Sequence, residues 1–415
     1  MRNVPTRVAV LTLGCRVNQS ESSVIEGTLR ENGISIVPLS ESPEFCVINT
    51  CTVTGRSDAN SRQLIRKAAK TGAAVIVTGC YSQLKRDEAS SLDGVFAVVP
   101  MEQKELIASL ILGCNADPVF HLHDRSRPYL KVQDGCNCSC SYCAVPLARG
   151  RSRSLHPEIA LQRAQEIEAQ GFHEIVLTGI HLGGYGQDLA ENSSLAKLIK
   201  KLLTQTGIER IRLSSIEINE IDDELLEVLG NARICRHLHL PLQSGSDRIL
   251  RLMNRNYSSD SYRRKITDIF DTFSDFSVGT DLIVGFPGET TEDFKTTYRL
   301  IEELPLSYLH VFPYSRRSGT AASLMKSSVP DEVISERAES LKRLNKSKKE
   351  RYAETQAGKI LDIIIEEKVG PGLMVGTSSN YLKIRIETDS IRRGTMVYIR
   401  SAGFNGNEIR GVVVA

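Results

Sequence analysis

The chain has 415 residues, of which 41% are hydrophobic and 25% are charged, so it is neither a disordered protein nor a collagen-like one. Its 52 Lys and Arg residues nearly balance 50 Asp and Glu residues, and the net charge of +2 limits contacts with nucleic acid to local patches. No apolar run reaches the roughly 18 residues that a membrane span needs. The apolar stretch Val8–Leu13 predicts a strand rather than a signal peptide. The ten cysteines therefore indicate a reducing compartment, the cytoplasm, where grouped cysteines usually bind metals or do redox work.

The first 114 residues alternate strand-like and helix-like segments. Strands are predicted at Val8–Leu13, Phe45–Asn49 and Val75–Thr78, and helices at Ser20–Asn32 and Ser57–Lys70. This order predicts a doubly wound parallel sheet, which we assign to an N-terminal domain of residues 1–114. Residues 115–128 contain two X-Pro pairs and two histidines, and we interpret them as a linker.

From residue 129 a strand–helix alternation repeats six times, which predicts a partial or complete parallel barrel with its active groups at the carboxyl ends of the strands. The six predicted strands are Tyr129–Gln133, Ile175–Thr178, Ile211–Ser215, His237–Leu240, Val278–Val284 and Tyr308–Pro313. A charged helix at Ser335–Ala353 closes this region, which we assign to residues 129–353. Residues 354–415 hold five short β-branched runs separated by turn residues, and these predict a small all-β barrel.

The segment DGCNCSCSYC carries the strongest chemical signal. Cys136, Cys140 and Cys143 have the spacing C-x3-C-x2-C, which lets one short loop wrap three thiolates around a face of an iron–sulfur cluster. Three protein ligands on a four-iron cluster leave one iron open for a substrate or cofactor. The alternative is a zinc knuckle, for which Cys138 would be a crowded fourth ligand.

Three further cysteines share a strand-end position. Cys15, Cys51 and Cys80 each follow a predicted strand of the N-terminal sheet, and the carboxyl ends of parallel strands meet at one edge. Gly14 and Gly79 precede two of them and allow the backbone to turn sharply. We interpret the three cysteines as one shared site; the alternative is three independent core cysteines.

The chain resembles the methylthiotransferases of the radical S-adenosylmethionine (SAM) superfamily. The matching stretches are TLGCRVNQSES, INTCTVT, GCNCSCSYCAVPLARGRSRS, HLHLPLQSGSDRILRLMNR and DLIVGFPGET. That family joins a three-cysteine N-terminal domain, a radical-SAM partial (β/α)6 barrel and a C-terminal TRAM domain, so the resemblance covers nearly the whole chain. One departure is Cys138, where the family usually has another residue.

The resemblance implies two 4Fe-4S clusters. Cys136, Cys140 and Cys143 would hold the cluster that binds SAM and cleaves it to a 5′-deoxyadenosyl radical. Cys15, Cys51 and Cys80 would hold the second cluster, which supplies the sulfur. TLGCRVNQSES and LTGIHLGGYG are most like the branch that adds a methylthio group at C2 of the threonylcarbamoyl-modified adenosine 37 in the anticodon loop of tRNA.

Two alternatives remain within this family, and one lies outside it. The substrate could be isopentenyl-adenosine in tRNA or an aspartate of a ribosomal protein. A non-catalytic, zinc-stabilised RNA-binding protein is the alternative from another class. The electron donor implied by the family is a flavodoxin or a ferredoxin, and a monomer is the default expectation.

Further SAM contacts are expected from residues around the predicted strand ends. These candidates are Tyr142, Ser215, Glu217, Gln243, Gly285 and His181. Turn chemistry or packing is the alternative for each, and it is favoured slightly for His181 and Gly285.

Local basic groups provide the candidates for RNA contact. Arg149, Arg151 and Arg153 follow the cysteine loop, where they could meet phosphates or form a solvated face. The C-terminal region carries a second set, Lys383, Arg385, Arg392, Arg393 and Arg400, beside Tyr381 and Tyr398, which could stack on bases or pack in the core. The resemblance to TRAM domains favours tRNA binding there.

Overall fold

The structure is a computed structural model that describes residues 5–119, 125–190, 193–404 and 408–414. Part of the predicted linker, residues 120–124, lies outside the described residues. The described chain divides into two compact units, one of residues 5–119, 134–153 and 315–323 and one of the remaining residues. Among the described residues, no helix combines the length and apolarity that a membrane crossing requires.

A five-stranded parallel sheet forms the centre of the first unit, in the order β2-β1-β3-β4-β5. Its elements are β1 (Arg7–Thr12), α1 (Arg16–Glu31), β2 (Ser35–Ile36), β3 (Phe45–Thr50), α2 (Gly55–Ala69), β4 (Ala74–Gly79), α3 (Cys80–Leu84), α4 (Arg86–Ser90), β5 (Val95–Val98) and α5 (Leu106–Leu112). The central strands are apolar on both faces because helices cover both sides of the sheet. This arrangement confirms the predicted doubly wound domain.

Six parallel strands of the second unit form two successive three-stranded sheets, β6-β9-β10 and β11-β12-β13. The elements from this part of the chain are β6 (Tyr129–Lys131), β7 (Gln133–Asp134), α6 (Val145–Arg149), β8 (Arg153–Ser154), α7 (Pro157–Ala169), β9 (Glu174–Thr178), α8 (Leu195–Gln205), β10 (Arg210–Leu213), α9 (Asp223–Leu229), β11 (His237–His239), α10 (Asp247–Leu252), α11 (Ser259–Thr272), β12 (Ser277–Val284), α12 (Thr291–Glu303), β13 (Tyr308–Pro313) and α13 (Asp331–Glu354). A backbone bridge between Ile211 and Ile234 places the second sheet next to β10. The six strands confirm the predicted partial barrel.

A closed five-stranded barrel ends the chain, in the order β14-β15-β16-β18-β17. Its strands are β14 (Ile360–Gly370), β15 (Leu373–Ser378), β16 (Lys383–Glu387), β17 (Met396–Phe404) and β18 (Ile409–Val413). Alternate residues such as Ile384 and Ile386 fill its interior while their neighbours face outward. Closure between β14 and β17 removes the exposed sheet edges, as the sequence predicted for this region.

A buried cluster of charges joins the two barrels of the second unit. The Glu174 carboxylate accepts from Arg212 at 2.7 Å and from Arg210 at 2.6 Å, and both guanidinium groups also reach backbone carbonyls of the C-terminal barrel. Burial alone would raise the pKa of Glu174, but Arg210, Arg212 and Arg127 hold it well below its usual range. Glu174 therefore remains an anion that neutralises two buried cations.

Replacing Glu174 by Ala should destabilise the protein by about 3–5 kcal/mol, because two buried guanidinium groups would lose their counter-charge. Urea denaturation followed by far-UV circular dichroism measures this change. The matched control is Glu209→Ala, which removes an exposed carboxylate paired with His173 and should cost about 0–1 kcal/mol. Equal losses in the two variants would contradict the role given to the buried cluster.

Candidate functional site

Three adjacent strands of the first unit deliver three cysteines to one edge of the sheet. Cys51 directly follows β3 and Cys80 directly follows β4, and the last residues of these strands, Thr50 and Gly79, are paired in register. Cys15 lies three residues beyond β1, at the start of α1. Cys15 is exposed, whereas Cys51 and Cys80 are 6% and 8% exposed. The topology therefore brings together the three cysteines that the sequence grouped.

Glycines allow the close approach of the loops that carry these cysteines. Gly14 has a φ of +98°, and a Cβ there would lie 2.8 Å from the Cys51 sulfur. Gly79 has a φ of +101°, and a Cβ there would lie 2.4 Å from the Thr50 carbonyl oxygen. A side chain at position 14 would occupy the space beside the Cys51 thiol, so glycine keeps this edge open.

The buried Asn18 side chain ties the Cys15 loop to the end of β3. Its amide nitrogen donates to the carbonyls of Leu13 at 2.8 Å and Thr50 at 2.9 Å. Burial raises the pKa of the Cys51 thiol, and the neighbouring Cys80 and Cys15 thiols raise it further. Three thiols at one sheet edge suit a cation, which would relieve the repulsion between their thiolate forms.

The predicted cluster loop also lies in the first unit. Cys136 donates its backbone N–H to the Gly150 carbonyl at 3.1 Å, and Cys143 donates to the Cys140 carbonyl at 3.1 Å. Both bonds hold the loop in a compact turn before α6. A side-chain hydrogen bond from Cys138 lowers the pKa of the Cys136 thiol, and the Cys138 N–H also donates to the Cys136 sulfur at 3.4 Å. Cys138 thus acts here as a donor toward Cys136.

Arg149 connects this loop to the cysteine edge of the sheet. Its side chain is 0% exposed and donates to Glu21 at 3.0 Å, to Asp134 at 2.7 Å and to the Asn18 side-chain oxygen. The interpretation of Arg149 as a phosphate contact is therefore wrong, because the guanidinium is buried and already paired with two carboxylates. It is a structural cation between the two groups of cysteines.

A second cation completes this network. Lys104 pairs with Glu21 and donates to the Asn49 side-chain oxygen at 3.2 Å. Burial raises the pKa of the Cys80 thiol, while the positive charges of Arg149 and Lys104 oppose that rise. The two cations thus favour the thiolate form of Cys80, which is the form that binds a metal.

A segment from far along the chain, residues 315–323, packs onto both cysteine loops. Arg317 forms a buried ion pair with Asp58 at 2.7 Å and donates to Thr52, the residue after Cys51. Ala322 donates its N–H to the carbonyl of Ser141, within the cluster loop, at 2.7 Å. We call residues 315–323 the strap, since it fastens the Cys51 loop and the cluster loop to the same segment.

Thiolate sulfur is the donor that iron–sulfur clusters require, and each group of cysteines provides three such donors on a glycine-shaped loop. The residues fit the expected clusters for that reason. Cys15, Cys51 and Cys80 would hold one iron–sulfur cluster, and Cys136, Cys140 and Cys143 would hold the other.

Two of the candidates for SAM contact, Glu217 and His181, form ion pairs, and both lie in the second unit. Glu217 pairs with Arg255, and burial raises the pKa of Glu217 against the influence of that arginine. The His181 side chain pairs with Glu220, and its backbone N–H donates to the side-chain oxygen of Gln133 at 2.7 Å. These contacts position both side chains within the loops that follow the strands.

The other candidates in the second unit lie at strand ends. Gln243 has a φ of +69° and is bonded through its backbone to Asp281 and Ile283 of β12. The hydroxyl of Ser215 lies 2.8 Å from Nδ1 of His239. Gly285 has a φ of +76°, and a Cβ there would lie 2.4 Å from the Ile334 side chain, which accounts for the glycine by packing.

Tyr142, the remaining candidate, is half-buried in the cluster loop of the first unit. Its position next to Cys143 is fixed by the turn that the Cys143–Cys140 bond closes.

The basic groups proposed for RNA contact are mostly exposed. Arg151 and Arg153 are exposed, unlike Arg149. In the C-terminal barrel all five of the proposed basic residues are exposed: Lys383, Arg385, Arg392, Arg393 and Arg400. Tyr398 is 56% exposed, whereas Tyr381 stacks on His237 at a centroid distance of 4.3 Å and packs under Arg212. Of the two tyrosines, only Tyr398 is displayed on the surface.

Sequence reasoning missed the residues that brace the two cysteine groups. Asn18 follows Cys15 closely in the TLGCRVNQSES stretch, and its polar side chain at the start of an amphipathic helix was an available signal. Arg317 and Asp58 lie far apart in the sequence, and nothing in the local pattern indicates their pairing.

Comparison with known proteins accounts for the two halves of this arrangement. The radical SAM superfamily profile matches residues 130–301, and the profile of an uncharacterised family, UPF0004, matches residues 7–99. The radical SAM methyltransferase TsrM from Kitasatospora setae has a similar fold, with a TM-score of 0.57 at 13% identity over 77% of this chain and 74% of that chain. This likeness concerns the fold alone. The radical SAM family implies SAM and a 4Fe-4S cluster as cofactors.

Relatives match almost the full length of the chain. The threonylcarbamoyladenosine tRNA methylthiotransferase MtaB of Bacillus subtilis (strain 168) is 38% identical over 97% of this chain and 95% of its own length. A tRNA-2-methylthio-N(6)-dimethylallyladenosine synthase of Acetivibrio thermocellus is 30% identical over 94% of this chain and 87% of its own length. With a radical SAM domain, a UPF0004 domain and this similarity, the chain belongs to the radical SAM methylthiotransferase family.

Proposed function

We propose that this protein adds a methylthio group to C2 of the threonylcarbamoyl-modified adenosine 37 of tRNA, using SAM and two 4Fe-4S clusters. The observation that carries the proposal is the convergence of Cys15, Cys51 and Cys80 at one sheet edge, in the same compact unit as the loop of Cys136, Cys140 and Cys143. A methylthiotransferase needs a source of sulfur in addition to the radical cluster. The second group of thiols is suited to hold it.

When bound, SAM and the clusters would supply the radical, the sulfur and the methyl group. The chain itself positions these groups. Cys136, Cys140 and Cys143 would hold the cluster that binds SAM, and the open fourth position leaves room for the cofactor. Arg149 and the strap fix both cysteine loops, since they bond to residues beside each group. Positioning of this kind keeps reacting groups in orientation and is a large part of enzymatic rate enhancement.

Adenosine 37 of tRNA is the substrate that the relatives favour. The Bacillus subtilis relative is named for threonylcarbamoyladenosine in tRNA, and it matches 97% of this chain at 38% identity, against 30% for the dimethylallyladenosine enzyme. The exposed basic residues of the C-terminal barrel, together with Tyr398, suit contact with the phosphates and bases of an RNA loop. The electron donor would be a flavodoxin or a ferredoxin.

Reconstituted protein should contain about eight irons per chain, as expected for two four-iron clusters. The triple variant with Cys15, Cys51 and Cys80 replaced by Ala should retain about four, because the other loop is intact. Anaerobic reconstitution followed by iron and sulfide analysis measures both values. Cys114→Ala, which changes an exposed cysteine outside both groups, should keep the full complement. A triple variant that still binds eight irons would refute the second cluster.

Purified enzyme with SAM and a reductant should convert threonylcarbamoyladenosine in tRNA to its 2-methylthio derivative, detected by nucleoside mass spectrometry. Cys140→Ala should abolish SAM cleavage, because it removes a ligand of the SAM-binding cluster. Cys51→Ala should still cleave SAM but give no methylthio product, because it removes only the sulfur site.

Dimethylallyl-modified tRNA and ribosomal protein serve as competing substrates in the same assay. The proposed substrate is wrong if either of them is methylthiolated while the threonylcarbamoyl tRNA is left unchanged. Product formation by Cys51→Ala at the normal rate would instead remove the role of the second group of cysteines.

Arg149→Met should lower the free energy of unfolding by about 3–5 kcal/mol, since Glu21 and Asp134 would be left without their shared cation. Thermal and urea denaturation of the metal-free protein measure the loss. Arg151→Met, two residues further on and exposed, is the matched control and should change stability by no more than about 0.5 kcal/mol. Indistinguishable stabilities of the two variants would show that the buried cation does not hold the loop.

A further inference from the structure

Two histidines and an aspartate form a cluster on one face of the sheet β11-β12-β13. Oδ1 of Asp281 lies 3.0 Å from Nε2 of His239 and 3.1 Å from Nδ1 of His310. Asp281 and His310 are paired in register, which fixes their side chains on the same face. The sequence analysis proposed none of these three residues for a site. They are also not among the expected ligands of the iron–sulfur clusters or the expected contacts of SAM.

The cluster belongs to a row of aromatic rings, His239, His310 and Phe312, that is buried at the His239 end and exposed at the other. His239 is 9% exposed, whereas the side chain of His310 is 50% exposed, and Phe312 is 40% exposed. Their ring centroids lie 5.2 Å apart for His239 and His310, and 6.4 Å apart for His310 and Phe312. Ser215, a candidate for SAM contact, bonds to His239 at the buried end of the cluster. The His310 and Phe312 end of the row is exposed and therefore accessible to a ligand.

Asp281 determines how His310 can meet such a ligand. Burial would raise the pKa of Asp281, but hydrogen bonds from His239 and His310 hold it well below its usual range. An ionised carboxylate only accepts hydrogen bonds, so Nδ1 of His310 carries the hydrogen in this contact. The second ring nitrogen, Nε2, is left for a ligand, and it donates to an anion when both ring nitrogens carry a proton.

A cavity of about 370 Å³ adjoins His310 within the same unit. Its lining residues include Lys349, Lys383, Tyr308 and Tyr381. Lys383 pairs with Glu366, whereas within the described residues Lys349 is exposed and has no ion pair. Glu408, the carboxylate of the lining, is paired with Arg385 at 2.8 Å. The cavity therefore offers His310 and Lys349 as donors to an anion.

We propose that His310, backed by Asp281, and Lys349 bind the carboxylate of the threonylcarbamoyl substituent of the target adenosine. This inference rests on the proposed function and names the part of the substrate that the site recognises. The threonylcarbamoyl group carries a free carboxylate and a hydroxyl, and a charge-assisted hydrogen bond from Nε2–H of the doubly protonated imidazole to the carboxylate is a strong contact. A dimethylallyl substituent has no polar atom and would leave Nε2 of His310 and the Lys349 ammonium without a partner from the substrate.

The test compares three anticodon stem-loop RNAs that differ only at adenosine 37: threonylcarbamoyladenosine, its methyl ester and unmodified adenosine. Binding to anaerobically reconstituted full-length protein is measured by fluorescence anisotropy. The wild type should bind the acid about tenfold more tightly than the ester, since the ester loses the charge that the two donors recognise. This comparison needs no variant and cannot be confused with misfolding.

Three variants locate the recognition. His310→Phe keeps an aromatic ring but removes the donor, and it should reduce the tenfold preference for the acid to about twofold or less. Lys349→Met should reduce the preference in the same direction by about threefold. Lys346→Met, on the same helix but outside the cavity lining, is the control and should keep the full preference. Affinity for the unmodified stem-loop should be similar in all four proteins.

The outcomes separate this inference from the proposed function. If the wild type methylthiolates threonylcarbamoyl tRNA yet binds acid and ester equally, or if His310→Phe keeps the full preference, the carboxylate site is wrong and the function stands. If the wild type neither prefers nor modifies the threonylcarbamoyl RNA, both fail together. A preference that is lost in His310→Phe and kept in Lys346→Met supports the site.

Discussion

The arrangement of the two cysteine groups depends on one buried guanidinium. Arg149 lies between the carboxylates of Glu21, on the first helix, and Asp134, at the start of the cluster loop. A buried cation is stable only where fixed anions surround it, so the loop has one orientation in which the charges are satisfied. Charge neutralisation here specifies geometry, because any displacement of the loop would separate ions in a medium of low dielectric constant.

Parallel sheet topology supplies the other constraint. The strands β1, β3 and β4 are neighbours in the sheet, although at least one helix separates each of them from the next in the chain. Residues just beyond their ends must converge, since parallel strands finish at the same edge. Gly14 and Gly79 let the loops after these strands approach each other closely. The Asn18 amide bonds to backbone carbonyls at the ends of β1 and β3, where the pairing between the strands stops. The site is thus a product of the fold and requires no local sequence motif.

The sheet and its cysteine edge could be predicted from the sequence, because runs of apolar residues mark the strands. The apolar runs before Cys51 and Cys80 gave the strands, and the strand ends gave the shared cysteine edge. Arg149 could not be predicted in the same way. It lies in an alternating basic stretch that resembles a solvated surface, and only a partner more than a hundred residues earlier in the chain makes it a core residue. The cluster of His239, Asp281 and His310 was missed for the same reason, since its members lie on three strands and none belongs to a recognisable local pattern.

The strap has a consequence for how the protein is made. The unit that contains both groups of cysteines includes residues 134–153 and 315–323 as well as the N-terminal sheet. During translation the first cysteines leave the ribosome long before Arg317 is synthesised to neutralise Asp58. The nascent sheet therefore emerges with Glu21 and Asp58 lacking their arginine partners, and its completion waits for most of the chain. A fragment that stops at the end of the sheet would carry Cys15, Cys51 and Cys80 but none of the cations from the later segments.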